Sequence, residues 1–300
     1  MFALVHHPEY VAALPDGHRF PMNKYGLLMP ALTALDVRYA LHEPEPMPRV
    51  AVERVHDPAY VAAVFGGTLS PAAERRIGFP VTPAVVARAL RVTGGTWLAA
   101  RLALRHGFAV NTAGGSHHAL PDAGAGYCVF NDLAVTAQRL LDDGAVERLL
   151  VVDLDVHQGD GTAAIFAGRT DAPTFSMHAA KNFPARKAQS TRDVELPDGM
   201  GDAAYLDVLA AELPPLLDRH RPQLVLYQAG VDPHVDDKLG RLALSDAGLA
   251  AREAFVVEAC RSRGIALATT LGGGYGNDVG AVAARHARSI AALGSAFLQA

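Results

Sequence analysis

The chain is short of cysteine: two residues in 300, Cys128 and Cys260. One pair cannot build a disulfide framework, so a reducing compartment is expected. It also lacks a surplus of basic charge. Its 27 Lys and Arg face 31 Asp and Glu, for a net charge of −4. That balance argues against direct nucleic-acid binding, which wants a basic face. No apolar run approaches the ~20 residues that span a bilayer, and nothing suggests a dedicated membrane surface. The opening MFALVHHPEY has no basic segment ahead of a long apolar stretch, so no signal peptide is expected. A soluble, cytoplasmic protein is the expectation. Repeats and low-complexity segments are absent too, and no feature fixes an oligomeric state.

What is present is apolar sequence, half of all residues. It is spread along the whole length, which predicts one domain over residues 1–300 with a sizeable core. Phe108–Asn111, Leu149–Val152, Leu224–Tyr227 and Ile265–Ala268 are near-continuous apolar runs. Such runs suit parallel strands buried on both faces. Between them lie segments of helical period, at Ala84–Arg105, Leu133–Leu141, Tyr205–Leu217 and Ser245–Arg263, with Ser245 as an N-cap. Gly94 and Gly95 fall inside the first and read as helix-packing positions. His18–Tyr25 and His42–Pro48 read as proline-broken loops. Strand and helix alternation predicts an α/β fold with a doubly wound parallel sheet.

Each of these strands runs into a loop rich in Gly, Asp and His. Asn111 leads into AGGSHH, Val152 into DLDVHQGDG, Tyr227 into QAGVDPH and Ala268 into TTLGGGYG. Open α/β sheets bind ligands beyond the carboxyl ends of their strands. The polar chemistry of the chain therefore gathers at one edge.

The residue types there suggest a metal hydrolase. In an extended segment, residues two apart point the same way, so Asp155 and His157 can grip one ion together. A catalytic zinc wants three protein ligands and an open position; Asp232, after the Leu224–Tyr227 strand, is the third. The donor set suits Zn²⁺, or Fe²⁺ and Mn²⁺. His117 and His118 need partners to hold different states, and Asp153 and Asp160 flank the metal motif. A carboxylate on one ring nitrogen fixes the tautomer at the other and frees one imidazole as a general base. Tyr275, delivered by a glycine loop, is placed to donate to a developing oxyanion. The other histidine pair, His6 and His7, has no such surroundings and reads as structural.

GGSHHA, GYCVFND, DLDVHQGDGT, FSMH, QAGVD and LGGGYG stand in the order found in histone deacetylases and their bacterial relatives. The resemblance covers nearly the whole chain, and HRFPMNKY and RRIGFP look most like bacterial proteins near the class IV enzymes. It implies a three-layer α/β/α sandwich around a mainly parallel eight-stranded sheet of the arginase/deacetylase kind. It implies a zinc-dependent deacylase, with Fe²⁺ as a possible substitute, acting on an acylated lysine or amine. By carry-over, Asp155, His157 and Asp232 hold the metal. His118 is the principal base and then acid, oriented by Asp160, while His117 is paired with Asp153. Tyr275 polarises the acyl carbonyl. Gly126, Tyr127 and Phe183 wall a narrow acyl-lysine channel, with Leu239 at its rim. A potassium ion is implied at Asp153, Asp155, His157, Ser176 and Met177.

The sequence departs from that pattern in two places. Class I and II enzymes carry a rim aspartate that holds substrate backbone, and the matching stretch Arg76–Pro83 has none. Lys24 stands where many members have an arginine near an inner cavity. The nearest enzymatic rival, an arginase-like enzyme with two manganese ions, would want a carboxylate two positions after His157, where this chain has Gly159. Acetylated polyamines or other small amides remain open as substrates, as does a non-catalytic acyl-ligand sensor of the same fold.

Overall fold

The computed structural model describes residues 1–299. Among them, eight strands form one sheet. They are β1 (Phe2–Val5), β2 (Tyr39–His42), β3 (Phe108–Asn111), β4 (Leu149–Asp153), β5 (Thr174–Ala179), β6 (Arg192–Leu196), β7 (Leu224–Gln228) and β8 (Ala266–Thr270). The helices are α1 (Lys24–Thr33), α2 (Arg49–Val52), α3 (Pro58–Gly66), α4 (Pro71–Ile77), α5 (Pro83–His106), α6 (Asp132–Asp142), α7 (Asp160–Ile165), α8 (Asp202–His220), α9 (Asp246–Arg261) and α10 (Val279–Leu298). No helix among the described residues is long and apolar enough to cross a membrane.

The strand order is β2-β1-β3-β8-β7-β4-β5-β6, and every pairing is parallel. Successive strand residues point to opposite faces, and the core divides accordingly. Leu4, Val110, Val152 and Val225 pack with side chains of α1, α8, α9 and α10. Val5, Ala109, Val151 and Leu226 pack with α5 and α6 on the other face. Burying each such Val or Leu side chain contributes roughly 1.5–3 kcal/mol. The result is the three-layer α/β/α arrangement, with all strand ends at one edge.

Local signals set the helices that frame the site. Thr82 caps α5 by accepting from Val85 N at 3.3 Å, Pro83 opens it, and Gly107 closes it at φ +87°. The glycine pair within it is a packing device. A Cβ on Gly94 would lie 1.8 Å from Glu45 O, and one on Gly95 2.0 Å from the Tyr10 hydroxyl. Ser245 caps α9 through Gly248 N at 3.0 Å.

The N-terminal third differs from its sequence reading. The segment His18–Tyr25 is not loop throughout, because Lys24 and Tyr25 begin α1 and are both buried. His42 closes β2, while residues 43–48 carry no regular element. The last run, read as Ile265–Ala268, is strand from Ala266 to Thr270. A further apolar cluster, including Tyr10, Phe20, Tyr60, Phe79 and Phe130, packs against Tyr127 and Tyr275. It packs this irregular part of the chain against the loops that follow the strands.

Candidate active site

Strand ends supply the site. After β3 the chain turns through Gly114 and Gly115, at φ +94° and +75°. The Asp132 carboxylate shapes the turn by accepting from Gly115 N at 3.1 Å and Ser116 N at 2.6 Å. A Cβ on Gly114 would sit 2.5 Å from that carboxylate. The turn delivers His117 and His118. His117 Nδ1 lies 2.6 Å from Asp153 Oδ2, and His118 Nδ1 lies 2.7 Å from Asp160 Oδ1. With Nδ1–H donated to a carboxylate, a neutral ring keeps its lone pair on Nε2.

The two rings are pulled apart electrostatically. Burial lowers the His117 pKa, but Asp153 and Asp155 together overcome it and hold it up at about 9. Burial and the neighbouring His117 charge lower His118 to about 4, despite Asp160. His118 is thus the neutral imidazole at physiological pH.

The loop after β4 brings Asp155 and His157, and the loop after β7 brings Asp232. One ligand atom from each lies within 4.8 Å of the others, and all three residues are buried. His157 Nδ1 sits 3.0 Å from Asp155 Oδ1 and 3.2 Å from Asp232 Oδ2. Asp155 Oδ2 accepts from Gln228 Nε2 at 2.9 Å, and Asp232 Oδ1 from Val156 N at 2.9 Å. Asp232 Oδ2 receives no well-directed hydrogen bond although it is fully buried. Burial and the Asp155 charge raise the Asp232 pKa to about 7. A buried, crowded pair of carboxylates with an orphaned oxygen is the environment a divalent cation would relieve. Two carboxylates and an imidazole are also a fitting donor set for zinc or iron.

The glycine loop after β8 closes the cluster. A Cβ on Gly273 would meet Asp232 Oδ2 at 2.4 Å and Asp155 Oδ2 at 2.8 Å. The next residues hold Tyr275, whose backbone N donates to Asp237 Oδ2 at 2.6 Å. Its ring centroid is 6.4 Å from that of His157. Burial, with the Asp232 and Asp155 charges, pushes the Tyr275 pKa well above the usual phenol value. The hydroxyl therefore stays a donor. Lys24 braces the loop from below, with Nζ donating to Gly273 O and, at 3.3 Å, to Gly274 O.

One cavity is lined by His117, His118, Asp155, His157, Tyr275 and Lys24, with Gly126 and Tyr127 at its wall. A Cβ on Gly126 would meet His118 Cδ2 at 2.5 Å. The Phe183 ring stands edge-on to His118, centroids 4.8 Å apart. Leu239 does not line this cavity; it is exposed, and its carbonyl accepts from Asn182 Nδ2 at 2.5 Å. Ser176 pairs with Asp153 across β4 and β5, and Met177 is buried beside it. His6 bonds Thr112 Oγ1 at 2.8 Å and His7 caps a short turn through Glu9 N, and neither lines this cavity.

Three supporting groups escaped the sequence reading. Asp132 lies within the GYCVFND motif, and Gln228 closes β7, yet neither position betrays its hydrogen bonds. Arg252, on α9, has no motif at all. Its Nη1 donates to Leu154 O at 3.0 Å and to Gly230 O at 2.8 Å, joining the two loops that carry Asp155 and Asp232. Its charge is met by Glu253 at 2.6 Å, both side chains being wholly buried.

Residues 18–291 match the histone deacetylase domain family. The chain is 47% identical over 287 residues to an uncharacterized protein of Picosynechococcus, covering 95% of this chain and 96% of that one. It is 32% identical over 262 residues to a histone deacetylase-like amidohydrolase of Pseudomonas aeruginosa, covering 81% of this chain and 68% of that protein. A probable deacetylase of Methanothermobacter thermautotrophicus is 27% identical over 262 residues, with 81% and 77% covered.

Proposed function

The chain belongs to the histone deacetylase family, and on that premise we propose that it hydrolyses the amide of an acylated lysine or related amine. Hydrolase activity of the deacetylase or amidohydrolase kind comes with the family. The single observation carrying the finer reading is the buried Asp155–His157–Asp232 cluster, whose Asp155 and His157 line one pocket with His118 and Tyr275. We read residues 1–300 as one catalytic unit, supported by the continuous sheet.

Asp155, His157 and Asp232 would hold the divalent cation, zinc first and iron second. Such an ion supplies Lewis acidity toward the acyl carbonyl and the attacking water. The residues supply the rest. His118, neutral and fixed by Asp160, accepts a proton at Nε2 as water attacks. It then returns that proton to the leaving amine. His117, held by Asp153, sets the local field. The Tyr275 hydroxyl donates to the carbonyl oxygen as negative charge grows there. Gly126, Tyr127 and Phe183 would hold the acyl-lysine stem, and Leu239 would touch the substrate outside. A structural potassium ion is proposed at Asp153, Asp155, His157, Ser176 and Met177, supported by the β4–β5 register.

The test is turnover of a fluorogenic acetyl-lysine peptide by metal-loaded protein, abolished by a chelator and restored by Zn²⁺ or Fe²⁺. No turnover of any acyl-lysine or acyl-amine by the loaded protein would overturn the reading in favour of a ligand sensor.

A further inference from the structure

A second groove lies on the outer side of Phe183. Arg76, Arg186 and Lys187 line it, over a floor that includes Leu120 and Ala188. Its position is tied to the channel. Arg76 O accepts from Gly126 N at 3.2 Å and Ile77 O from Tyr127 N at 2.6 Å, so the end of α4 is clipped to the channel wall. Lys187 Nζ donates to Asn182 O at 2.6 Å and Pro184 O at 2.7 Å, which pins its charge beside Phe183.

None of the three cations forms an ion pair among the described residues, although the Glu195 and Asp160 charges still act on Lys187. Lys181 has an acidic partner in Asp198 at 3.7 Å and Arg192 in Glu212 at 2.6 Å. Arg76, Arg186 and Lys187 have none among the described residues, and Arg76 and Arg186 are exposed. One carboxylate, Asp160, also reaches the groove, but its Oδ1 is bound to His118. On a chain of net charge −4, three unpaired cations around one apolar groove run against the average. The rim aspartate that would favour backbone contact is absent from Arg76–Pro83, and Glu74 spends its carboxylate on Val81 N at 2.8 Å.

We propose that this groove receives an acidic residue flanking the acylated lysine of a peptide substrate. The inference rests on the deacylase reading above. Charge complementarity at a rim sets specificity more than raw affinity, and each exposed pair is worth little. Three together favour an acid-flanked over a base-flanked substrate by about tenfold. The same charges repel acetylated polyamines, which remain cationic after acylation.

The experiment compares matched acetyl-lysine peptides with Asp or Glu, Ser, or Lys flanks, alongside N-acetylputrescine, using the full metal-loaded chain. The kcat/KM ratio of acid-flanked to base-flanked peptide should be about ten at low salt and shrink toward unity at high salt. Arg76→Glu and Arg186→Glu should each lower that ratio, and Arg186→Gln should fall between. A ratio near one in the parent protein, an unchanged ratio in the reversed variants, or N-acetylputrescine as the best substrate would overturn the groove. Fluorescence anisotropy of the same labelled peptides gives an arm independent of turnover. Acid-selective binding with no hydrolysis would sustain the groove and sink the deacylase reading; hydrolysis without acid selectivity would do the reverse.

Discussion

The His117 and His118 rings lie tilted at 45° with centroids 4.1 Å apart, and each has its own carboxylate. Adjacent imidazoles cannot both carry a proton cheaply, and Asp153 holds the charge on the first. The second is left as the base. His118→Ala should therefore lower kcat by about 10²–10⁴. Asp160→Asn should lower it less, by loosening the tautomer and orientation of His118. Single-turnover rates on an acetyl-lysine peptide measure both; equal losses for the two variants would contradict this division.

Tyr275→Phe removes a hydroxyl and little else from the pocket. Loss of one oxyanion donor costs about 10²–10³ in rate. Metal content should stay near that of the parent protein, because the ring packs beside His157 without being one of the clustered donors. Loss of bound metal together with activity would argue against the oxyanion role.

His157 Nδ1 lies between two carboxylate oxygens, at 3.0 and 3.2 Å. A cation ligated there must take the Nδ1 lone pair, so the proton that Nδ1 donates to Asp155 has to leave. Titration calorimetry in two buffers of different ionisation enthalpy should show one ion per chain and release of about one proton. Affinity should fall on acidification, since protons then compete. Asp232→Asn should abolish tight binding. Two ions per chain would favour a dinuclear enzyme instead.

His56 predicts a stability profile. It is buried, with Nδ1 bonded to Leu120 O and Nε2 accepting from Asn131 N, both at 2.9 Å. Burial lowers its pKa from 6.5 to about 4, outweighing its backbone hydrogen bonds. The folded state therefore binds fewer protons than the unfolded chain between those values. Stability is full above 6.5 and is lost as pH falls toward about 4, by up to roughly 3 kcal/mol from this residue. Urea midpoints of the parent and His56→Gln across this window should converge at low pH; parallel curves would refute the assignment.

The sequence made the central strands visible because β4 and β7 are buried on both faces and so read as unbroken apolar runs. The same reasoning missed β1, β2, β5 and β6. β2 and β6 are edge strands with exposed residues such as Leu41 and Arg192, so no apolar run marks them; β5 interleaves Thr174, Ser176 and His178 with its apolar residues, and β1 is a four-residue run at the start of the chain. It missed α1, where Pro30 interrupts the pattern and tertiary burial of Tyr25 and Leu28 supplies the order. Asp155, His157 and Asp232 were legible because short polar motifs followed visible strands. Gln228 and Arg252 were not, since their partners lie 73, 98 and 22 residues away.

Arg252 and Glu253 form an ion pair with no exposure at all. Such a pair is stable only where the surroundings have already shed water and filled its remaining donors and acceptors. Tyr227 and Ser289 do so for Glu253, at 2.6 and 2.7 Å. The carbonyls of Leu154 and Gly230 do so for Arg252 Nη1, while its Nε has no partner among the described residues. The loops that carry Asp155 and Asp232 are thus tied together through a dry interior, and parting them would admit water to two buried charges. Amide exchange around Val156 and Val231 should then track global unfolding rather than local fraying.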